Sequence, residues 1–114
     1  KVKHKLIIVE GKKDKAALEQ FGCTQILTLE HKALYEVVEA VKEKKVVLLT
    51  DLDSEGRQLY TKLQRAFAKR GIHVDNKLRL LLFKCKISHI EGLHQEDRHI
   101  IDKCTEPVAE DKER

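Results

Sequence analysis

Apolar positions along this chain fall into two patterns, short unbroken runs and stripes of helical spacing. Leu6-Ile7-Ile8-Val9 is an unbroken run rich in β-branched residues and is followed at once by Glu10-Gly11. It predicts a central parallel strand, apolar on both faces because helices cover both. Asp14 falls in the first turn of a predicted helix through Ala16, Ala17, Leu18 and Phe21, and Gly22 supplies the stop. Residues 25–28 predict a second strand. Residues 33–44 predict a helix, with Leu34, Val37, Val38 and Val41 on one face and Glu36, Glu39 and Glu43 on the solvated one.

Val46-Val47-Leu48-Leu49-Thr50 is the clearest strand, and it breaks directly into Asp51-Leu52-Asp53-Ser54-Glu55-Gly56. A helix over 54–70 is expected next. Leu59, Leu63, Ala66, Phe67 and Arg70 share one face, Gln58, Lys62, Arg65 and Lys69 the other, and Gly71 ends it. Residues 78–83, Leu-Arg-Leu-Leu-Leu-Phe, predict a further strand, 84–92 a loop with Lys84, Lys86, His89 and Glu91, and 95–103 a last helix. Strands alternating with helices predict an α/β fold of three Rossmann-like layers, a mostly parallel four-stranded sheet flanked by helices. One domain over residues 1–104 is expected, with 105–114 a polar, disordered tail.

Bulk properties change this picture little. The longest apolar runs are far below the roughly 20 residues needed to span a bilayer, and no signal peptide is evident, so a cytoplasmic protein without a membrane partner is expected. The 114 residues carry 23 basic and 19 acidic side chains, a net charge of +4. The last ten residues are acidic on balance, so the body is more basic than the whole, a balance compatible with a nucleic-acid partner but shared by many unrelated proteins. Cys23, Cys85 and Cys104 have no CxxC spacing and are expected as thiols. Cys85, His89, His94, His99 and Cys104 have spacings that invite zinc, but the close cysteine pair of a compact site is missing and the histidines read as surface residues.

The chemistry concentrates in Glu10, Asp51 and Asp53. In a parallel α/β sheet the functional crevice lies beyond the carboxyl ends of the strands, where both Glu10 and Asp51 fall. Asp53 lies two residues on, so an extended segment points both aspartates the same way. Three mutually repelling carboxylates are held together most readily by a cation, and an all-oxygen set favours Mg²⁺ or Mn²⁺. Gly11 and Gly56 would let a phosphate approach backbone N–H groups, with Lys12, Lys13 and Arg57 screening its charge. Taken singly, Asp53 reads equally as a helix cap, Gly11 as a turn residue, and Lys12 and Lys13 as a solvated face.

Together, Ile7-Ile8-Val9-Glu10-Gly11-Lys12-Lys13-Asp14 and Leu49-Thr50-Asp51-Leu52-Asp53-Ser54-Glu55-Gly56-Arg57 resemble the Toprim domain, over about residues 6–90. That family includes type I and type II topoisomerases, primases, overcoming-lysogenisation nucleases, a recombination mediator and the small ribonuclease that matures 5S ribosomal RNA. Small stand-alone proteins and the ribonuclease branch are the nearest in pattern. The resemblance implies that Glu10 acts as general acid or base and as a possible metal ligand, and that Asp51 and Asp53 bind Mg²⁺. It implies Mg²⁺-dependent phosphodiester chemistry on RNA or DNA, of nuclease or nucleotidyl-transfer type. The alternative is a non-catalytic module that binds nucleic acid or protein partners in a processing or repair complex, with backbone contacts from Lys12, Lys13, Arg57, Lys62, Arg65 and Lys69.

Three features narrow these choices. The nucleophilic tyrosine of topoisomerases sits on another domain, whereas Tyr35 and Tyr60 lie within predicted helices and read as packing residues. Aromatic content of 4% argues against a stacking platform for single strands. A phosphoacceptor receiver domain would carry its acidic pair after the first strand, where this chain has Glu10-Gly11.

Overall fold

A computed structural model of the chain describes residues 5–84. The elements are β1 (Leu6–Val9), α1 (Lys12–Glu19), β2 (Ile26–Thr28), α2 (Leu34–Ala40), β3 (Lys45–Leu49), α3 (Ser54–Lys69), β4 (His73–Asp75) and α4 (Lys77–Lys84). The four strands form one parallel sheet in the order β2-β1-β3-β4. β1 and β3 are central, with Val9 opposite Leu49 in register. Glu10 and the Thr50-Asp51 pair therefore leave the sheet side by side.

Strand periodicity sorts the core into two halves. Ile7 and Val9 of β1 and Val47 and Leu49 of β3 pack with Leu18, Phe21, Cys23, Leu78 and Leu82, so α1 and α4 cover one face. Ile8, Val46 and Leu48 point the other way and meet Val37, Val38, Val41, Leu63, Phe67 and Val74, so α2 and α3 cover the second. The three-layer α/β architecture expected from the sequence is present.

Helix ends follow local chemistry. Asp14 is buried in the first turn of α1, where its Oδ2 accepts the Gly11 N–H at 3.1 Å. Glu36 Oε1 accepts the Ala33 N–H at 2.8 Å at the start of α2. α2 stops at Ala40, four residues before the expected end, because Val41 has turned to extended backbone while its side chain stays buried. Gly22 and Gly71 both adopt positive φ, 90° and 76°, Gly22 two residues after the C-cap of α1 and Gly71 next to that of α3, where their positions predict stops.

The expected strand over 78–83 is a helix. Residues 77–84 form α4, and the fourth strand is the three-residue β4 before it. An apolar run of six does not by itself distinguish a buried strand from a buried helix. Here the run contains four leucines and no β-branched residue, which favours helix. The Asp75 carboxylate accepts the Lys77 N–H at 3.0 Å, and the Leu80 N–H bonds to the Asn76 carbonyl at 3.0 Å, which starts the turn. β4 escaped notice because only Val74 of its three residues is buried. Lys84, expected in a loop, is the last residue of α4. The rest of that loop, the helix over 95–103, the Cys-His run and the tail lie outside the described residues. No helix among the described residues is long and apolar enough to cross a membrane.

Candidate functional site

The carboxyl ends of β1 and β3 bring Glu10 and Asp51 together. Glu10 Oε2 accepts the Asp51 N–H at 2.8 Å, a link across 41 residues of sequence. The carboxylate is thus turned along the sheet edge, toward backbone. Burial pushes the Glu10 carboxyl above the ordinary glutamate range. The Asp51 N–H opposes that shift, while the negative charges of Asp51, Asp53 and Asp14 reinforce it.

Asp53 is the N-cap of α3, and its Oδ1 accepts the Gly56 N–H at 2.8 Å. Gly56 is buried, and a Cβ there would lie 2.0 Å from the Asp51 carbonyl oxygen. Its missing side chain therefore lets the first turn of α3 close against the backbone of Asp51. Thr50 completes the closure: its hydroxyl donates to the Gly56 carbonyl at 2.7 Å. Arg57, expected to face phosphate, donates from Nη1 to the Leu52 carbonyl at 2.7 Å. Lys12 and Lys13 are exposed on the first turn of α1, after Gly11.

Arg79 of α4 is a residue that pattern reasoning missed. It is buried, and its Nη1 donates to both the carbonyl and the hydroxyl of Thr50, the latter at 2.6 Å. Its Nη2 donates to the Asp51 carbonyl at 3.3 Å. The guanidinium carbon stands 4.5 Å from the centre of the Tyr60 ring on α3, so Arg79 joins helices from opposite layers at the acid loop. Burial lowers its pKa, while the charges of Glu10 and Asp51 oppose the fall. The available signal was a lone cation inside an apolar run, since a charge is buried only where partners await it. Glu30, just beyond β2, is a further acid at this edge, with its Oε2 3.4 Å from where a Cβ on Gly11 would lie. Its Oε1 is buried without a hydrogen-bond partner.

Among the described residues, no group of three or more His, Cys, Asp and Glu side chains is arranged to hold a metal ion. Two of the acids are engaged by backbone, Glu10 through Oε2 with the Asp51 N–H and Asp53 through Oδ1 with the Gly56 N–H. The donor set nevertheless suits a hard divalent cation, being oxygen only. The neighbouring carboxylates that disfavour ionised Glu10 are the kind of repulsion a cation relieves.

A parallel four-stranded sheet with Glu-Gly after one central strand and Asp-x-Asp-x-x-Gly after the other defines the class. The Toprim domain family model matches residues 5–90, and the chain belongs to that family. It is similar to a UPF0292 protein of Methanocaldococcus jannaschii, 37% identical over 83 residues, covering 69% of this chain and 65% of the relative. A UPF0292 protein of Pyrococcus abyssi is 36% identical over 89 residues, covering 76% of this chain and 67% of the relative. The chain thus spans about two thirds of the length of these relatives. A solved structure of a protein from Aquifex aeolicus shares the fold with a TM-score of 0.75 at 37% identity, covering 78% of this chain and 84% of that one.

Proposed function

We propose that this Toprim domain carries out Mg²⁺-dependent phosphodiester chemistry on RNA or DNA, with Glu10, Asp51 and Asp53 as the reacting edge. The observation that carries the reading is the meeting of Glu10 and the Asp51 loop across the central strands, held by the 2.8 Å hydrogen bond. Asp51 and Asp53 would hold the cation, with Glu10 as a further ligand. When bound, Mg²⁺ supplies charge neutralisation at the phosphoryl oxygens. Glu10 would hold or release the proton of the attacking or leaving oxygen, a role that its place beside the Asp51 loop supports. The first turn of α1, with Gly11, Lys12 and Lys13, and the exposed Arg57 at the start of α3 orient the phosphate, whereas Gly56, whose N–H is held by Asp53, serves to close the loop against Asp51.

The test is a metal-dependent cleavage assay on RNA and DNA with the parent chain, Glu10→Gln and Asp51→Asn. Loss of turnover in both variants is expected. Equal activity in all three would sink the mechanism.

A second reading has its own support, because the Glu10 and Asp53 carboxylates both bond to backbone N–H groups and so hold the loop together. In that reading the domain binds nucleic acid or a protein partner within a processing complex and performs no chemistry. Salt-sensitive binding without turnover in Mg²⁺ or Mn²⁺ would favour it.

A further inference from the structure

The groove between α2 and α3 lies on the layer that ends at the acid loop. It encloses 540 Å³ and is lined on one side by Tyr35 and Glu39 and on the other by Lys62, Arg65, Lys69 and Arg70. A second depression, 430 Å³ in volume, shares Lys62 and Arg65 and continues along α3 to Arg57 and Ser54, the neighbour of Asp53. Cations therefore mark one track from the carboxyl end of α3 to the reacting edge. The four groove cations are exposed, and no ion pair among the described residues engages them. One carboxylate, Glu39, stands against the four.

Tyr35 changes the meaning of this track. It was expected to pack, as Tyr60 does against the core, yet it is 65% exposed in the groove. The low aromatic content argues against a platform of several stacked bases, but a single exposed tyrosine ring beside a row of cations offers one base a face to stack on while the phosphates meet positive charge. A duplex keeps its base faces covered, so this combination selects an unpaired strand.

We propose that the α2–α3 groove binds single-stranded nucleic acid, with a base stacked on Tyr35 and phosphates along Lys62, Arg65, Lys69 and Arg70, and leads it to the acid loop. This rests on the nucleic-acid reading of the site and adds the path and the strandedness of the substrate.

The test is fluorescence anisotropy on the full chain with labelled twelve-nucleotide oligouridine and oligothymidine strands and a duplex of equal length. EDTA is present, so binding is measured without turnover. The parent is expected to bind the single strands more tightly than the duplex. Tyr35→Ala should weaken single-strand binding roughly tenfold. Four phosphate contacts give a log–log salt slope of about −2.8, and the double variant Lys62→Ala/Arg65→Ala should reduce it to about −1.4. Lys42→Ala removes an exposed cation outside the groove and should bind as the parent does; circular dichroism melts confirm that all variants fold.

Parent-like affinity and salt slope in the groove variants would overturn the proposal while leaving the chemistry at the acid loop standing. So would equal binding of duplex and single strand with no effect of Tyr35→Ala, or displacement of the strand by polyglutamate as effective as by unlabelled strand. Binding by no form of the protein at low salt would overturn the groove directly, and the separate cleavage assay would then decide the acid loop.

Discussion

The two ends of the track along α3 are built in opposite ways. At its amino end the acid loop is closed by hydrogen bonds: Asp53 to Gly56, Thr50 to Gly56, Arg79 to Thr50 and Asp51, and Asp51 to Glu10. Further along, the groove cations are exposed and unbridged, and Tyr35 is mostly bare. Removing a part of a closed network strands its partners, whereas removing an exposed side chain strands nothing. Substitutions at the acid loop should therefore cost stability, and substitutions in the groove should cost binding alone.

Gly56→Ala is the severest test of that contrast. The added carbon would overlap the Asp51 carbonyl, so the loop must shift, at a cost of about 3 kcal/mol or more in urea unfolding. Gly71→Ala has open space around it and only the strain of φ 76°, so about 1–2 kcal/mol is expected. Similar costs for the two would break the account of the closed loop. Arg79→Met comes next. It leaves the Thr50 carbonyl and the Asp51 carbonyl short of their donor, and a loss of about 2–4 kcal/mol is expected, with Arg79→Lys recovering part of it.

A smaller effect comes from the ion pair between Lys5 and Asp75, whose charged atoms are 2.8 Å apart with both side chains largely buried. Burial pushes the Asp75 carboxyl up, but the hydrogen bonds from Lys5 and the Lys77 N–H outweigh it, and the net shift is downward. A lowered folded-state pKa means that the unfolded chain binds the proton more tightly. The stabilisation is therefore present above the ordinary aspartate range and is lost as pH falls through the lowered value. Asp75→Asn should remove that acid-side dependence and cost about 1 kcal/mol at neutral pH, read from melts across pH. Smallest of all, Tyr35→Ala and Lys69→Ala should leave unfolding within about 0.5 kcal/mol of the parent.

The same division explains what the chain's residue pattern disclosed. β1 and β3 were legible because Ile7, Ile8, Val9, Val46 and Val47 are β-branched and lie in unbroken runs with an acid directly after each. The register then brings Glu10 beside Asp51 without further information. β4 and α4 were not legible, since a three-residue edge strand carries almost no pattern and the leucine run after it fits either element. Misplacing that run hid Arg79, whose contacts with Thr50 and Asp51 exist only once residues 77–84 coil back over the end of β3. Tyr35 was misjudged for a simpler reason. Lying within a predicted helix, it reads as a packing residue although it falls outside the stripe of Leu34, Val37, Val38 and Val41, and the helix turns it outward into the groove.

The central claim is that the acid loop holds a divalent cation for chemistry on phosphate. Titrating Mn²⁺ into the chain and following the free ion by electron paramagnetic resonance tests it most directly. One site in the parent, lost or weakened at least tenfold in Asp51→Asn and Asp53→Asn and displaced by Mg²⁺, is the expected result. Parent-like Mn²⁺ binding in both variants, or no binding by the parent, would contradict it.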